Sequence, residues 1–434
     1  MLENGPAAES AAGFFVAGAV IAGCTGAASV AGSASLSPAV AMRDSRRFSK
    51  AFPFSMRDSG LLRQLSLLLM SGFFAVPSSA SADCAAAVVA AKALAAPQAD
   101  LNAASDGEAD PDLTPVARDA IGALKRGLAG FVDAAAACLD AAVPTPDAFA
   151  QTLATPVGSA SPTPRFDVRL LQNDALLSIV ARFDVPCGED ALWLLYERRD
   201  AQWRPVLQWT GAAYDRIDGA WGSFQYAVSP RDADGRWFAA TAHVRPWCSS
   251  TWSVIDYAIV RPGDTAAKPR ILLAEDYGMW WGGEDFGRLR VEATHAELRF
   301  HGSSLDPVMH NREFVRRYAV KGGRVERIAP VAATPRGFVD EWLVSAWPQA
   351  QRWSAADPTL QAAHARLATL REGATLTFGP TRQCVDGTVQ VAFDVDGSER
   401  FLRVAGEPDS YRLKTVATEA DPACTRELAE EPAL

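Results

Sequence analysis

The sequence predicts a mainly β protein made of repeated four-stranded antiparallel units, preceded by an N-terminal α-helical hairpin. Three observations predict it. Beyond residue 165 the hydrophobic period switches to alternation and tryptophan and tyrosine concentrate, with turn signals at Asp232 to Gly235 and Lys321 to Gly323. Three segments of this region align, so that Tyr196, Tyr257 and Tyr318 recur at equal spacing, as do Cys187 and Cys248, and Arg182, His243 and His301 recur at nearly equal spacing. Residues 83–155 are instead rich in alanine, with apolar side chains three and four apart. The repeated units resemble propeller blades, three or four of them; a β-sandwich is the alternative arrangement.

Composition bounds the function. The 434 residues carry 42 Lys+Arg against 51 Asp+Glu, a net charge of −9, and 49% are hydrophobic. Such a chain has enough apolar surface for two or three cores and is no disordered polymer. The acidic balance excludes a general nucleic-acid binder, because neutralising phosphates needs a basic footprint.

Residues 1–55 read as an extension, non-native or disordered, with translation starting at Met42 or Met56. Within it Ile21-Ala22-Gly23-Cys24 resembles a lipoprotein lipobox, but Glu3 and Glu9 precede it and no base does. Residues 56–82 read as a signal peptide. Arg57 and Arg63 form a positive start, Leu65 to Val76 a short apolar run, and Ala80-Ser81-Ala82 a cleavage site that leaves Asp83 first. Cleavage there leaves 36 bases and 47 acids, a net of −11, and no membrane span. The expected location is periplasmic or extracellular.

Residues 83–155 form the expected helical hairpin. Thr114 caps a helix whose first position is Pro115. Ile121, Leu124, Leu128, Phe131, Val132, Ala135 and Leu139 make its apolar stripe. An earlier helix runs from Cys84 to about Ala95. A Pro/Ser/Thr linker, Pro156 to Arg165, leads to the repeated β domain, residues 166–333. A helical insert follows at 334–372, where Gly337 to Ser354 and Leu360 to Arg371 have helical patterns. Residues 373–426 form a C-terminal β unit, a degenerate fourth copy: Arg400 to Val404 resembles Glu313 to Arg317, with turns of its own at Asp386-Gly387 and Asp396-Gly397.

Loss of Cys24 with the leader leaves Cys84, Cys138, Cys187, Cys248, Cys384 and Cys424, an even number fit for disulfides in an oxidising compartment. Pairing sequence neighbours gives Cys84–Cys138, Cys187–Cys248 and Cys384–Cys424. No CxxC spacing and no nearby histidine suggests a zinc site, so no metal is expected.

The candidate ligand-binding residues fall in two groups. Arg182, His243 and His301 occupy matching places in the aligned segments, where a propeller would gather them into a ring for an anion or carboxylate; bonding to a neighbouring blade is the simpler role. Trp280 and Trp281 precede Glu284 and Asp285. Indole faces beside carboxylates suit a sugar ring, although an aromatic plug between units explains the same residues. His310 belongs to a polar cluster that could rim a ligand. Two Asp-x-Asp-Gly runs lack the twelfth-position glutamate of a calcium loop, and tight hairpins explain them. His364 reads as a surface residue. No cofactor motif occurs and none is expected.

These features predict an exported binding or interaction protein for a small molecule, glycan or protein. A hydrolase acting on an envelope or extracellular polymer through Glu284, Asp285 or a histidine is the alternative, and the enzyme reading is the weaker one. A structural envelope protein is the third.

Overall fold

The computed structural model describes residues 80–105, 114–139, 145–154, 164–173, 175–185, 188–200, 202–211, 223–245, 251–280, 287–308, 311–371, 374–408 and 410–429. The extension, most of the signal segment, Cys187, Cys248, Trp281, Glu284, Asp285 and His310 lie outside the described residues, as does the side chain of Cys84.

The helical layer consists of α1 (Ala80–Ala93), α2 (Ala95–Ser105), α3 (Pro115–Ala137) and α4 (Pro146–Ala154). The Thr114 Oγ1 accepts the Ala117 amide at 3.1 Å, capping α3 above its N1 proline. The hairpin forms as α1 and α2 pack on α3. The apolar stripe of α3 is buried against the first sheet, where Phe131, Val132, Leu124 and Leu128 meet Ile179, Phe183, Leu192 and Leu194. A stripe packed this way is core, as its 3.6-residue period implies.

Four antiparallel meanders follow. The first sheet is β1 (Arg165–Leu171), β2 (Leu176–Val185), β3 (Gly188–Arg199) and β4 (Gln202–Trp209). The second is β5 (Ser223–Val228), β6 (Ala239–Val244), β7 (Trp252–Thr265) and β8 (Lys268–Trp280). The third is β9 (Arg288–Val291), β10 (His295–Ser303), β11 (Asn311–Lys321) and β12 (Arg324–Arg327). After α5 (Pro335–Val344), α6 (Trp347–Ala350) and α7 (Thr359–Arg371) comes the fourth, β13 (Leu376–Cys384), β14 (Val389–Val395), β15 (Ser398–Ala405) and β16 (Arg412–Ala417), to which β17 (Cys424–Glu427) adds a fifth strand beside β13. The four-stranded unit therefore occurs four times, and Arg400 to Val404 and Glu313 to Arg317 both lie on third strands of their units. Turn chemistry sets these hairpins: Gly322 and Gly323 both take positive φ between β11 and β12, the requirement of a two-residue turn matched to strand twist.

The units stack but close no propeller, and the facing of the sheets shows why. In a propeller, equivalent side chains all point toward the next blade. Here Tyr196 points back to the helical layer, where its hydroxyl donates to Asp133 Oδ1 at 2.5 Å. Tyr257 and Tyr318 share one core and lie on facing sheets, with ring centroids 5.9 Å apart. The other face of the first sheet meets the second through Val180, Trp193, Leu207, Ala239 and Ala258. The far face of the third sheet, which a next blade would cover, is a lattice of charge. Arg299 pairs with Glu297 at 2.7 Å and Glu313 at 3.5 Å, Arg317 with Glu297 at 3.7 Å, and Arg288 with Glu313 at 3.5 Å. Burying that lattice under an apolar sheet would cost more desolvation than packing returns.

The fourth sheet instead has its own core with α5 to α7, in which Phe338, Trp342, Trp353 and Leu367 meet Val391, Phe393, Leu402 and Leu413. His364 is not a surface residue: it is buried, donates from Nε2 to the Trp342 carbonyl at 3.2 Å and meets that indole edge-on. Alanine neighbours on α7 concealed this, because a small-residue face lets another element approach closely.

Cys384 and Cys424 form a disulfide and are paired in the β13–β17 ladder. Among the described residues no helix is long and apolar enough to cross a membrane.

Candidate functional site

Arg182, His243 and His301 do not occupy matching places. Counted from the partner of the repeated tyrosine, Arg182 lies five residues beyond Leu177 and His301 five beyond Ala296, but His243 lies one beyond Ala242. The hairpins joining second and third strands differ in length, so equal spacing in sequence is not equal register. Arg182 faces the second sheet, pairs with Glu189 at 2.8 Å and donates to the Phe224 carbonyl at 3.0 Å. His301 alternates with Phe300 and so lies on the charged far face of the third sheet. The three residues form no ring.

His243 instead joins a buried cluster between the first and second sheets. β4 pairs with β3 only from Trp193 onward, so Asp190 lies past the last rung of that ladder and can be reached from the side. Lys125 arrives from α3, its Nζ 2.7 Å from Asp190 Oδ2 and donating to the Thr210 carbonyl at 2.6 Å. His243 Nε2 approaches Asp190 Oδ1 to 3.4 Å, and neither ring nitrogen makes a hydrogen bond among the described residues. Phe224 meets the imidazole edge-on. Burial is the largest influence on His243 and pushes its pKa below 6.5, against the opposing pull of Asp190.

A titration test follows from that burial. Below pH 6.5 the unfolded chain takes up a proton at His243 that the folded chain resists, so stability falls on acidification through this range. His243→Gln is expected to flatten the decline in Tm between about pH 7 and about pH 5. Equal slopes for both proteins would place the acid sensitivity elsewhere.

On the same face of the second sheet, the rung Phe224–His243–Asp256–Asp276 runs across all four strands. Arg245 grips Asp256 with two donors, Nε to Oδ2 at 3.0 Å and Nη2 to Oδ1 at 2.7 Å. The same guanidinium is 3.5 Å from Asp276, which is 66% exposed. Two rungs further, Trp252 lies opposite Trp280, and the rung between pairs Val254 with Gly278. Trp252 is 37% exposed and Trp280 half-buried. Among the described residues nothing lies within 4 Å of where a Cβ would stand on Gly278. Among the described residues the result is a notch at the sheet edge: an indole wall at one end, an Arg–Asp–Asp wall at the other and a floor of Val254 and bare Gly278 between. Trp280 and Asp276, four residues apart on one strand, bound about 13 Å.

The other dense charge cluster is structural. Arg312, Arg316 and Arg327 converge on Glu341 of α5 at 2.8, 2.6 and 2.7 Å, and Arg312 also meets Asp340 at 2.9 Å. Burial alone would raise the Glu341 pKa; the three guanidiniums reverse that and hold it well below the usual carboxylate range. Asp340 accepts from Ser304 Oγ and the Leu305 amide. These bonds join the third sheet to the helices that carry the fourth.

Of the residues singled out in sequence, Trp280 stands in the notch and His243 beneath it, while Trp281, Glu284 and Asp285 follow Trp280 outside the described residues. Trp252, Arg245, Asp256, Asp276, Lys125 and Asp190 escaped the sequence reading. One signal could have found the indole pair: Trp252 and Trp280 are equidistant from Ala266 in the turn between β7 and β8. Among the described residues no three His, Cys, Asp or Glu side chains gather as a metal site. No protein-family model matches the chain, and no curated protein shows significant similarity to it.

Proposed function

We propose that the chain is an exported binding protein whose ligand, a glycan or peptide, lies in the notch of the second sheet. The observation that carries this reading is the Trp252–Trp280 pair, one indole exposed and one half-buried, on the same face as the exposed Asp276 carboxylate, with Val254 and bare Gly278 on the rung between. Indoles offer flat apolar contact at low entropic cost, and Asp276 and Arg245 supply an acceptor and a donor. Export is supported by the leader-like segment at 56–82 and by the Cys384–Cys424 disulfide.

A hydrolase is the second reading, favoured by one observation: Asp256 and Asp276 lie directly opposite one another across β7 and β8. Directly opposed residues place their Cβ atoms about 5 Å apart, which is the scale of carboxylate spacing used in retaining glycoside cleavage. Arg245 clamping Asp256 weakens this reading, since a nucleophile or acid held in a bidentate ion pair is poorly free to react.

The test is a glycan and peptide array probed with the full chain and with Trp280→Ala. The proposal expects discrete hits on the parent that fall by about tenfold or more in the variant. No hits, or hits indifferent to Trp280, contradict it. Release of reducing ends from a bound glycan, lost in Asp276→Asn, would establish the hydrolase instead.

A further inference from the structure

We infer that the notch selects an ammonium-bearing sugar, a glycan of free hexosamine units, over neutral or acidic glycans and over peptides; this rests on the notch being the binding site. Among the described residues its charged walls are Arg245, Asp256 and Asp276, one positive charge against two negative. Arg245 gives its Nε–Nη2 edge to Asp256, and Asp276 is the outward carboxylate, with a longer 3.5 Å contact to the same group. The Lys125–Asp190 pair beneath is neutral as a unit, and His243, buried and without a hydrogen bond among the described residues, adds no positive charge above its lowered pKa. A ligand therefore meets a net negative wall facing two indoles. An ammonium group is drawn to both, by Coulomb attraction to Asp276 and by the negative faces of the rings. The net charge of −9 over the chain acts in the same direction at longer range.

Geometry favours a sugar ring over a lysine side chain. The indoles stand side by side on two adjacent strands, a platform wider than a single methylene stem. The floor, Val254 beside bare Gly278, is low and apolar and so admits a broad, flat body. One pyranose lays its C–H face on the indoles, and the amine of a unit further along the glycan turns toward Asp276.

The experiment is calorimetric titration of the full chain at about pH 6, where sugar amines are protonated. The probes are a glucosamine hexamer, the N-acetylated hexamer, a galacturonate hexamer and a hexalysine peptide. The inference expects the glucosamine hexamer to bind about tenfold tighter than its acetylated form. Asp276→Asn should bring the two hexamers to equal affinity, and Trp252→Ala with Trp280→Ala should remove binding of both. Equal binding of free and acetylated hexamers, lost in the tryptophan variants, overturns the charge selectivity and keeps the notch. Tighter binding of hexalysine or galacturonate also overturns it. Binding by none of the probes, or binding indifferent to the tryptophans, overturns the notch itself.

Discussion

Glu341→Ala should destabilise the protein by about 3–5 kcal/mol, enough to unfold the C-terminal half at physiological temperature. The side chain is nearly inaccessible and pairs with three guanidiniums that are themselves about nine-tenths buried. Its removal leaves Arg312, Arg316 and Arg327 with only Asp340 nearby, so the cost is desolvated, uncompensated charge rather than a few lost hydrogen bonds. Partial compensation remains, because Arg312 stacks 3.6 Å over the Phe314 ring and Arg316 lies 4.7 Å from the Tyr277 ring. Urea unfolding followed in the near ultraviolet checks this. The control is Glu326→Ala, which breaks an exposed pair with Arg352 and should change stability by less than about 1 kcal/mol. Because the folded-state pKa of Glu341 is depressed, its contribution is full above the unfolded value of 4.5 and declines as pH falls below it. The variant should therefore lose less stability than the parent on acidification below about pH 4.5.

Lys125→Met should cost about 3–5 kcal/mol by the same logic at the opposite end of the molecule. Asp190 is 0% exposed, and without Lys125 its buried carboxylate loses the cation paired with it at 2.7 Å. The double variant Lys125→Met with Asp190→Asn removes both charges and should regain more than half of the loss. If the double variant is no more stable than Lys125→Met alone, Lys125 acts through its bond to Thr210 and the packing of its stem rather than through charge.

Much of the fold was legible because it is written locally. Alternation marked the strands, Asp-Gly and Gly-Gly steps marked the turns, and Thr114-Pro115 marked the start of α3. The four-stranded unit follows from these signals, and so does the fourth copy behind the helical insert. Closure was not legible. Which face of a sheet meets the next depends on register within each hairpin, and the β6–β7 hairpin turns after fewer residues than its counterparts. That difference moved His243 away from Arg182 and His301, although the three are nearly equally spaced in sequence. The charges on the outer face of the third sheet, Arg288, Glu297, Arg299, Glu313 and Arg317, were visible as alternating residues, but their meaning as an uncovered face needed the neighbouring sheets.

The site was half legible for a related reason. Trp280 stood out by composition, and its wall is the same residue in space. Its partner Trp252 and the Arg245–Asp256–Asp276 group are brought together by a long hairpin whose centre, Ala266-Ala267, has no strong turn signature. The Arg312–Glu341 contact spans 29 residues and two kinds of secondary structure, which no local pattern encodes.

The central claim, that ligand binds across Trp252 and Trp280, is tested most directly by fluorine NMR of the chain labelled at its 12 tryptophans with 5-fluorotryptophan. Trp252→Phe and Trp280→Phe assign the two resonances. Titration with the glucosamine hexamer should shift those two first and furthest, while buried Trp193 and Trp342 stay still. Shifts confined to other tryptophans, with Trp252 and Trp280 unmoved at saturation, would contradict the account.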